Sequence, residues 1–173
     1  LAIRFCETFS AQTSSPEIRL KAMMVLFNMF RPDYDLRYKA FGYILNYSVK
    51  TDRFDKLLPY LEYLDEWVLD WELEVEEERQ LYFNLHTYMR AINKQDQAHK
   101  YLKQHVELFK DESPQVLDTC VGAAMELVMD AIRVPAVLQV DDILVLDAVK
   151  HLKSKQDKSG HFFALLEIFR SGT

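Results

Sequence analysis

The chain reads as an all-α protein, a right-handed helical-repeat solenoid of antiparallel helix pairs of the HEAT or TPR kind. Three observations say so. Apolar residues recur at i, i+3, i+4 and i+7 through successive segments, start signals precede those segments, and the helix pairs return about every 40 residues, the period of helical repeats. A fold of this kind offers a long surface rather than a deep cleft, so the question it poses is what it holds.

The helical pattern is present from the first residues, starting at Leu1. Ser15-Pro16-Glu17 then places an N-cap before a proline at the first helical position, where the missing N–H costs nothing. Leu20, Met23, Met24 and Phe27 form one stripe of the helix that follows, and Pro32 is expected to close it. A second helix is expected from Asp35 to Lys50, with Leu36, Ala40, Tyr43 and Tyr47 on its buried face. Thr51-Asp52 then opens the next pair. One short turn from Phe54 to Leu58 leads to Pro59, and a helix with Leu61, Leu64, Val68 and Trp71 inward follows.

From Glu74 the acidic run Glu76-Glu77-Glu78 suits the first turn of a helix, where carboxylates complement the positive end of the dipole. Leu81, Leu85, Tyr88 and Ile92 mark its buried side, and the polar stretch Asn93 to Asp96 turns the chain. The next helix carries Ala98, Tyr101, Leu102, His105 and Phe109. Its partner, started by Ser113-Pro114, carries Leu117, Cys120, Val121, Ala124, Val128 and Ala131. Gly42 and Gly122 fall inside the second helices of their pairs, at a cost of about 1 kcal/mol each relative to alanine. Close helix approach is the expected compensation.

After Pro135 the apolar runs shorten to Val137–Val140, Ile143–Leu146, Val149 and Leu152, lengths that suit short strands or short helices. Asp141-Asp142 and Asp147 resemble helix caps and decide for two short helices. A polar link from Lys153 to Gly160 precedes a last helix with Phe162, Leu165, Leu166 and Phe169 on one face, ending near Ser171-Gly172. Residues 1–134 are thus expected to be stacked helix-pair repeats and 135–173 a continuation of the helical arc. An uncovered apolar last helix and a start inside a helix lead one to expect further protein beyond both ends.

A 49% apolar and 13% aromatic content supports a continuous core. The net charge of −6 argues against non-specific binding to nucleic acid or an anionic membrane surface, which needs clustered Lys and Arg. Cys6 and Cys120 fall at apolar helical positions, as reduced core thiols of a cytoplasmic or nuclear protein do. No apolar run approaches the ~18 residues of a membrane span.

Catalytic motifs are not evident. The sequence contains no G-x-x-x-x-G-K, G-x-G-x-x-G, H-E-x-x-H or G-x-S-x-G, and its five histidines include no i, i+4 pair to present two imidazoles on one helical face. The expectation is no enzyme, no metal and no cofactor. His105, on an apolar stripe, reads as a hydrogen-bonded core residue. The aromatic stretch Tyr60 to Trp71 is interleaved with Glu62, Asp65, Glu66 and Asp70 and lacks Lys and Arg, so it reads as packing rather than a stacking platform for bases. Met23, Met24 and Met29 read as core filling before an adaptable interface.

Ile18-Arg19-Leu20, Leu26-Phe27-Asn28, Leu36-Arg37-Tyr38 and Trp67-Val68-Leu69-Asp70-Trp71 stand in an order that resembles the M-subunit family of eukaryotic translation initiation factor three. That family carries a W-x-x-D-W element after a proline-started helix, as Pro59 to Trp71 does here. Leu144 to Leu152 resembles its L-x-L-x-x-V-K-x-L segment, and Phe162 to Phe169 the apolar helix after it. The likeness covers nearly the whole chain. It implies the N-terminal helical arc of a PCI protein, without the winged helix that follows in the family. It also implies a non-catalytic scaffold in the cytoplasm, joined to other PCI and MPN subunits and, through the assembled complex, to the small ribosomal subunit. No membrane contact and no direct RNA contact by this stretch are expected.

The candidate structural or interface residues are Trp67, Asp70, Trp71, Arg37 and Tyr38, with Glu74, Glu76, Glu77 and Glu78 as an acidic partner surface. Trp67 and Trp71, one turn apart, are expected chiefly to lock the turn between the helices of the second pair, with a direct binding role as the other reading. Three further readings share some features: a PCI subunit of the signalosome or proteasome lid, a TPR-like peptide adaptor, and an all-helical enzyme. The Trp67–Trp71 element favours the initiation factor. The adaptor would need a regular 34-residue repeat and a Lys/Arg clamp, and the enzyme clustered His, Asp or Glu in a pocket.

Overall fold

The computed structural model describes residues 2–30, 35–133, 140–155 and 157–171. All regular structure among them is helical, with no strand. The chain divides into two compact units, Leu1–Glu74 and Val75–Thr173.

The first unit holds α1 (Ala2–Ala11), α2 (Pro16–Met29), α3 (Asp35–Lys50), a 3₁₀ turn (Phe54–Leu57), α4 (Leu58–Leu61) and α5 (Leu64–Trp71). The stripe read for α2 is buried at all four positions, Leu20, Met23, Met24 and Phe27. Proline does sit in the first turn of α2. Ser15, however, makes no side-chain cap and takes a left-handed backbone with φ 50°. The chain turn there is held instead by Arg19, whose Nε donates to the Ser14 carbonyl at 2.7 Å. The closure expected at Pro32 lies outside the described residues.

α2 and α3 run antiparallel, since Phe27 meets Phe41 near one end and Glu17 meets Arg53 near the other. α3 is the hub, packed against α1, α2, the 3₁₀ turn and α5. That role widens its buried arc beyond the expected stripe: Ala40 and Tyr47 are joined by Phe41, Ile44 and Leu45, while Leu36 and Tyr43 stay half-buried. Thr51-Asp52 ends α3 rather than opening the next element. Asp52 adopts φ 55°, the Arg53 N–H reaches the Ser48 carbonyl at 2.7 Å and the Asp52 N–H the Val49 carbonyl at 3.1 Å, a Schellman closure. The helix expected to run on from Pro59 is broken at Glu62-Tyr63, where the Tyr63 N–H bonds the Tyr60 carbonyl three residues back.

The second unit holds α6 (Val75–Ala91), α7 (Gln95–Glu107), α8 (Pro114–Arg133), α9 (Val140–Leu144), α10 (Asp147–Leu152) and α11 (Lys158–Ser171). α6 carries Glu76, Glu77 and Glu78 in its first turn, as the dipole argument expects. It ends in a second Schellman motif at Asn93, φ 59°, with the Lys94 N–H on the Met89 carbonyl at 2.9 Å. α7 then returns antiparallel along α6: His86 meets Ala98, Tyr82 meets Tyr101, and Arg79 meets His105 and Leu108. So α7 packs against α6 as well as against α8, the partner expected for it. α8, about 30 Å long at 1.5 Å per residue, is the spine on which α7, α9, α10 and α11 pack.

The region after α8 forms the two short helices read there, although residues 134–139, including Pro135 and Val137, lie outside the described residues. Asp147 does not cap its own helix. Its Oδ2 accepts the backbone N–H of Asp111 at 2.9 Å, tying α10 to the turn after α7. On α11, Phe163 and Leu166 are buried while Leu165 and Phe169 remain exposed.

Gly42 and Gly122 overturn one expectation. A Cβ at either position meets nothing within 4 Å, so neither glycine allows a close helix approach. Gly160 is the crowded one, where a Cβ would run into the Lys155 carbonyl oxygen.

Candidate functional site

Two residue groups stand out, one in each unit. In the first, Trp67 and Trp71 of α5 are 8% and 7% exposed and face α2 and α3. Trp67 lies edge-on to Phe27 at 4.8 Å between centroids. Trp71 packs on Phe41 at 5.4 Å and on Tyr38 at 5.5 Å. The indoles therefore bolt α5 to the preceding pair, because the period of α5 turns both toward α3.

Arg37 completes the cluster, its guanidinium 4.5 Å from the Phe27 ring and 5.2 Å from Trp67. Burial lowers its pKa, and the charge of Asp70 opposes that shift. Stacking on two rings offsets part of the desolvation cost of a half-buried cation. Asp70 is exposed. Of the five residues singled out here, then, two are core, two are half-buried against it, and one is on the surface.

In the second unit a layer of polar side chains lies buried between α6, α7 and α8. Arg79, 3% exposed, donates to Glu76 at 2.5 Å, to Glu112 at 2.5 Å and to the Leu108 carbonyl at 2.7 Å, and stacks 3.9 Å over Phe109. One member of the acidic run, Glu76, thus serves this buried cation from the surface. Glu77 and Glu78 share its turn, and Glu74 ends the first unit.

His105 is hydrogen-bonded as expected. Its Nδ1 lies 2.9 Å from the Arg79 carbonyl, which can only accept, so that nitrogen carries the proton. Burial holds the His105 ring below its ordinary pKa, partly opposed by that same bond. His86 repeats the arrangement, Nδ1 to the Ala98 carbonyl at 3.0 Å, with Nε2 3.3 Å from Glu126. Glu126 also pairs with Arg90, and the buried Asp130 lies 2.8 Å from His99 Nδ1.

None of Arg79, His86, His99 or Asp130 was singled out from sequence. A signal existed: Arg79, Tyr82, His86 and Met89 form a second stripe beside the apolar one. Among the described residues no group of three or more His, Cys, Asp or Glu is placed to hold a metal ion.

Between α6 and α8 this layer opens into a groove of about 560 Å³, lined by Arg79 and Phe83 of α6, by Thr119, Gly122 and Ala123 of α8, and by His105 of α7. Glu76 and Glu126 stand at it as well. The groove is flanked by packed helices and edged by the carboxylates of Glu76 and Glu126.

No family model matches the chain. Curated relatives do. A protein of Phaeosphaeria nodorum is 28% identical over 97% of this chain and 38% of its own length. One of Dictyostelium discoideum is 24% identical over 91% and 38%, and one of Nematostella vectensis 25% identical over 93% and 40%. All three are named eukaryotic translation initiation factor 3 subunit M. The likeness is to subunit M. It bears out the resemblance read from the Trp67–Trp71 and Leu144–Leu152 segments. The chain spans well under half the length of the subunit M relatives it matches, and no helix among its described residues is long and apolar enough to cross a membrane.

Proposed function

We propose that the chain is part of a non-catalytic scaffold subunit of eukaryotic translation initiation factor 3. It would support assembly of the pre-initiation complex on the small ribosomal subunit through protein–protein contacts. The observation that carries this reading is similarity running along 91–97% of the chain to proteins of that name from distant organisms. Its partners are then the other PCI and MPN subunits, and its compartment the cytoplasm. Contact with the ribosome runs through the assembled complex rather than through RNA binding by this acidic stretch.

In this reading the helices stack as a right-handed solenoid, residues 1–134 as helix-pair repeats and 135–173 as the arc that leads toward a winged helix. Two features support a contact role. The helices α2, α3 and α5 to α8 each bury one side, and several large apolar side chains stay in water, among them Ile18, Val25, Met29 and Leu69. The cluster of Trp67, Trp71, Arg37 and Tyr38 would hold the surface around Asp70 in shape. Glu74, Glu76, Glu77 and Glu78 would face a basic partner.

The test is native mass spectrometry of the assembly captured from eukaryotic cytosol by the tagged full-length protein. Initiation-factor subunits together with small ribosomal subunits are expected. Recovery of signalosome or proteasome-lid subunits instead would overturn the assignment while keeping a scaffold role, and recovery of the protein alone would overturn both.

A further inference from the structure

Gly122 sits inside the twenty-residue helix α8 and costs that helix about 1 kcal/mol relative to alanine. A Cβ there meets nothing within 4 Å, so no neighbour in the fold requires its absence. What the missing side chain does is keep the α6–α8 groove open, with Thr119, Gly122 and Ala123 forming a low wall that another backbone can approach closely.

Two further observations point to an occupant. Opposite that wall Phe83 remains 39% exposed, its ring 5.1 Å from that of His105, an aromatic surface half in water. Arg79 lines the groove, is 3% exposed, and its Nε–H finds no acceptor among the described residues although both terminal nitrogens are bonded. A buried donor without an acceptor is destabilising, and an incoming acceptor could relieve it once neighbouring side chains shift to uncover that nitrogen.

The charges fix the sign of the occupant. Of the ionised side chains lining the groove, the cation Arg79 is buried and doubly paired. Glu76 is 80% exposed with its Oε1 on Arg79, and Glu126 is 36% exposed. Arg90 pairs with Glu126 and Glu112 with Arg79, so the three carboxylates Glu76, Glu112 and Glu126 exceed the two cations Arg79 and Arg90 by one, and the balance that a visitor meets is weakly negative.

We propose that this groove binds a short basic segment of a partner protein, its backbone passing over Gly122, one apolar side chain on Phe83 and its Lys or Arg side chains toward Glu76 and Glu126. Binding here would be independent of which complex the protein serves.

The probe is a fluorescein-labelled, acetylated peptide of lysine, alanine and leucine, compared by anisotropy titration on the whole chain with its glutamate-for-lysine counterpart. The lysine peptide should saturate and weaken with salt, and the glutamate peptide should not bind. Gly122→Arg fills the groove from a position with room for a side chain and should weaken the lysine peptide by about tenfold or more. Asn46→Arg, the same charge change on an exposed position of the first unit, should leave it unchanged. Far-UV circular dichroism checks the fold. If Gly122→Arg does not fold, Phe83→Ala decides by the same criterion. Undiminished binding in the groove variant, equal loss in Asn46→Arg, or no binding of the lysine peptide overturns the proposal.

Discussion

Trp71→Ala removes the side chain that joins α5 to the α2–α3 pair, and its cost can be worked from the structure. The indole is 7% exposed and touches Phe41, Tyr38, Trp67 and Phe27 at centroid distances of 5.4, 5.5, 6.0 and 6.4 Å. A buried tryptophan removes about 150–250 Å² from water, worth about 4–6 kcal/mol at about 25 cal/mol per Å². Alanine keeps a little of that burial and the site collapses in part, which leaves about 3–5 kcal/mol. A unit of the size of Leu1–Glu74 has about 4–11 kcal/mol of stability in total, so the change removes about a quarter of it or more.

Both tryptophans, Trp67 and Trp71, lie in this unit, so indole fluorescence in a urea titration follows it selectively, and Trp67 remains as the reporter. With a slope of about 1 kcal/mol per M for so small a unit, the midpoint should fall by about 3 M or the unit should be unfolded in buffer. Trp71→Phe sharpens the reasoning. The Trp71 Nε1 is buried with no hydrogen-bond acceptor among the described residues. Removing that N–H relieves about 1–3 kcal/mol of uncompensated desolvation. Phenylalanine should therefore cost under about 1.5 kcal/mol net of the ring volume it gives up. A midpoint shift under about 1 M for the alanine variant, or equal costs for alanine and phenylalanine, would refute the packing argument.

The glycines should separate: Gly122→Ala should stabilise by about 0.5–1 kcal/mol, and Gly160→Ala should destabilise by about 1–3 kcal/mol as its methyl meets the Lys155 carbonyl, both read by urea midpoints. His105 has its folded pKa lowered from 6.5 by burial, so the folded state binds fewer protons than the unfolded state. Its contribution is complete above that value and is lost as pH falls from 6.5 toward the folded value. The slope of stability against pH in that window should flatten in His105→Gln. Burial pushes the Cys120 thiol up to about 12 and raises Cys6 as well. An aromatic disulfide reagent at about pH 8 should therefore label neither thiol in the native protein and both in urea.

Periodicity and local punctuation placed most helices of this chain, because an amphipathic helix writes its buried face into its own residues. The stripe of α2 and the first turn of α6 were legible for that reason, and Ser113-Pro114 marked the start of α8. Where the same punctuation misled, the cause was direction: Thr51-Asp52 carries cap residues that serve the end of one helix as readily as the start of another. The Schellman bonds that decide between them are made in three dimensions.

Tertiary structure alone decided the rest. Sequence shows Arg79, His86, His99 and Asp130 as polar residues on helices. Burying Arg79 and His86 is tolerable because carboxylates, backbone carbonyls and the Phe109 face meet them in three dimensions, while the buried His99 and Asp130 face each other at 2.8 Å. The glycine at 122 was visible, but its environment was not. An empty side of a helix is a property of what does not pack there, and no residue of the helix itself records that absence.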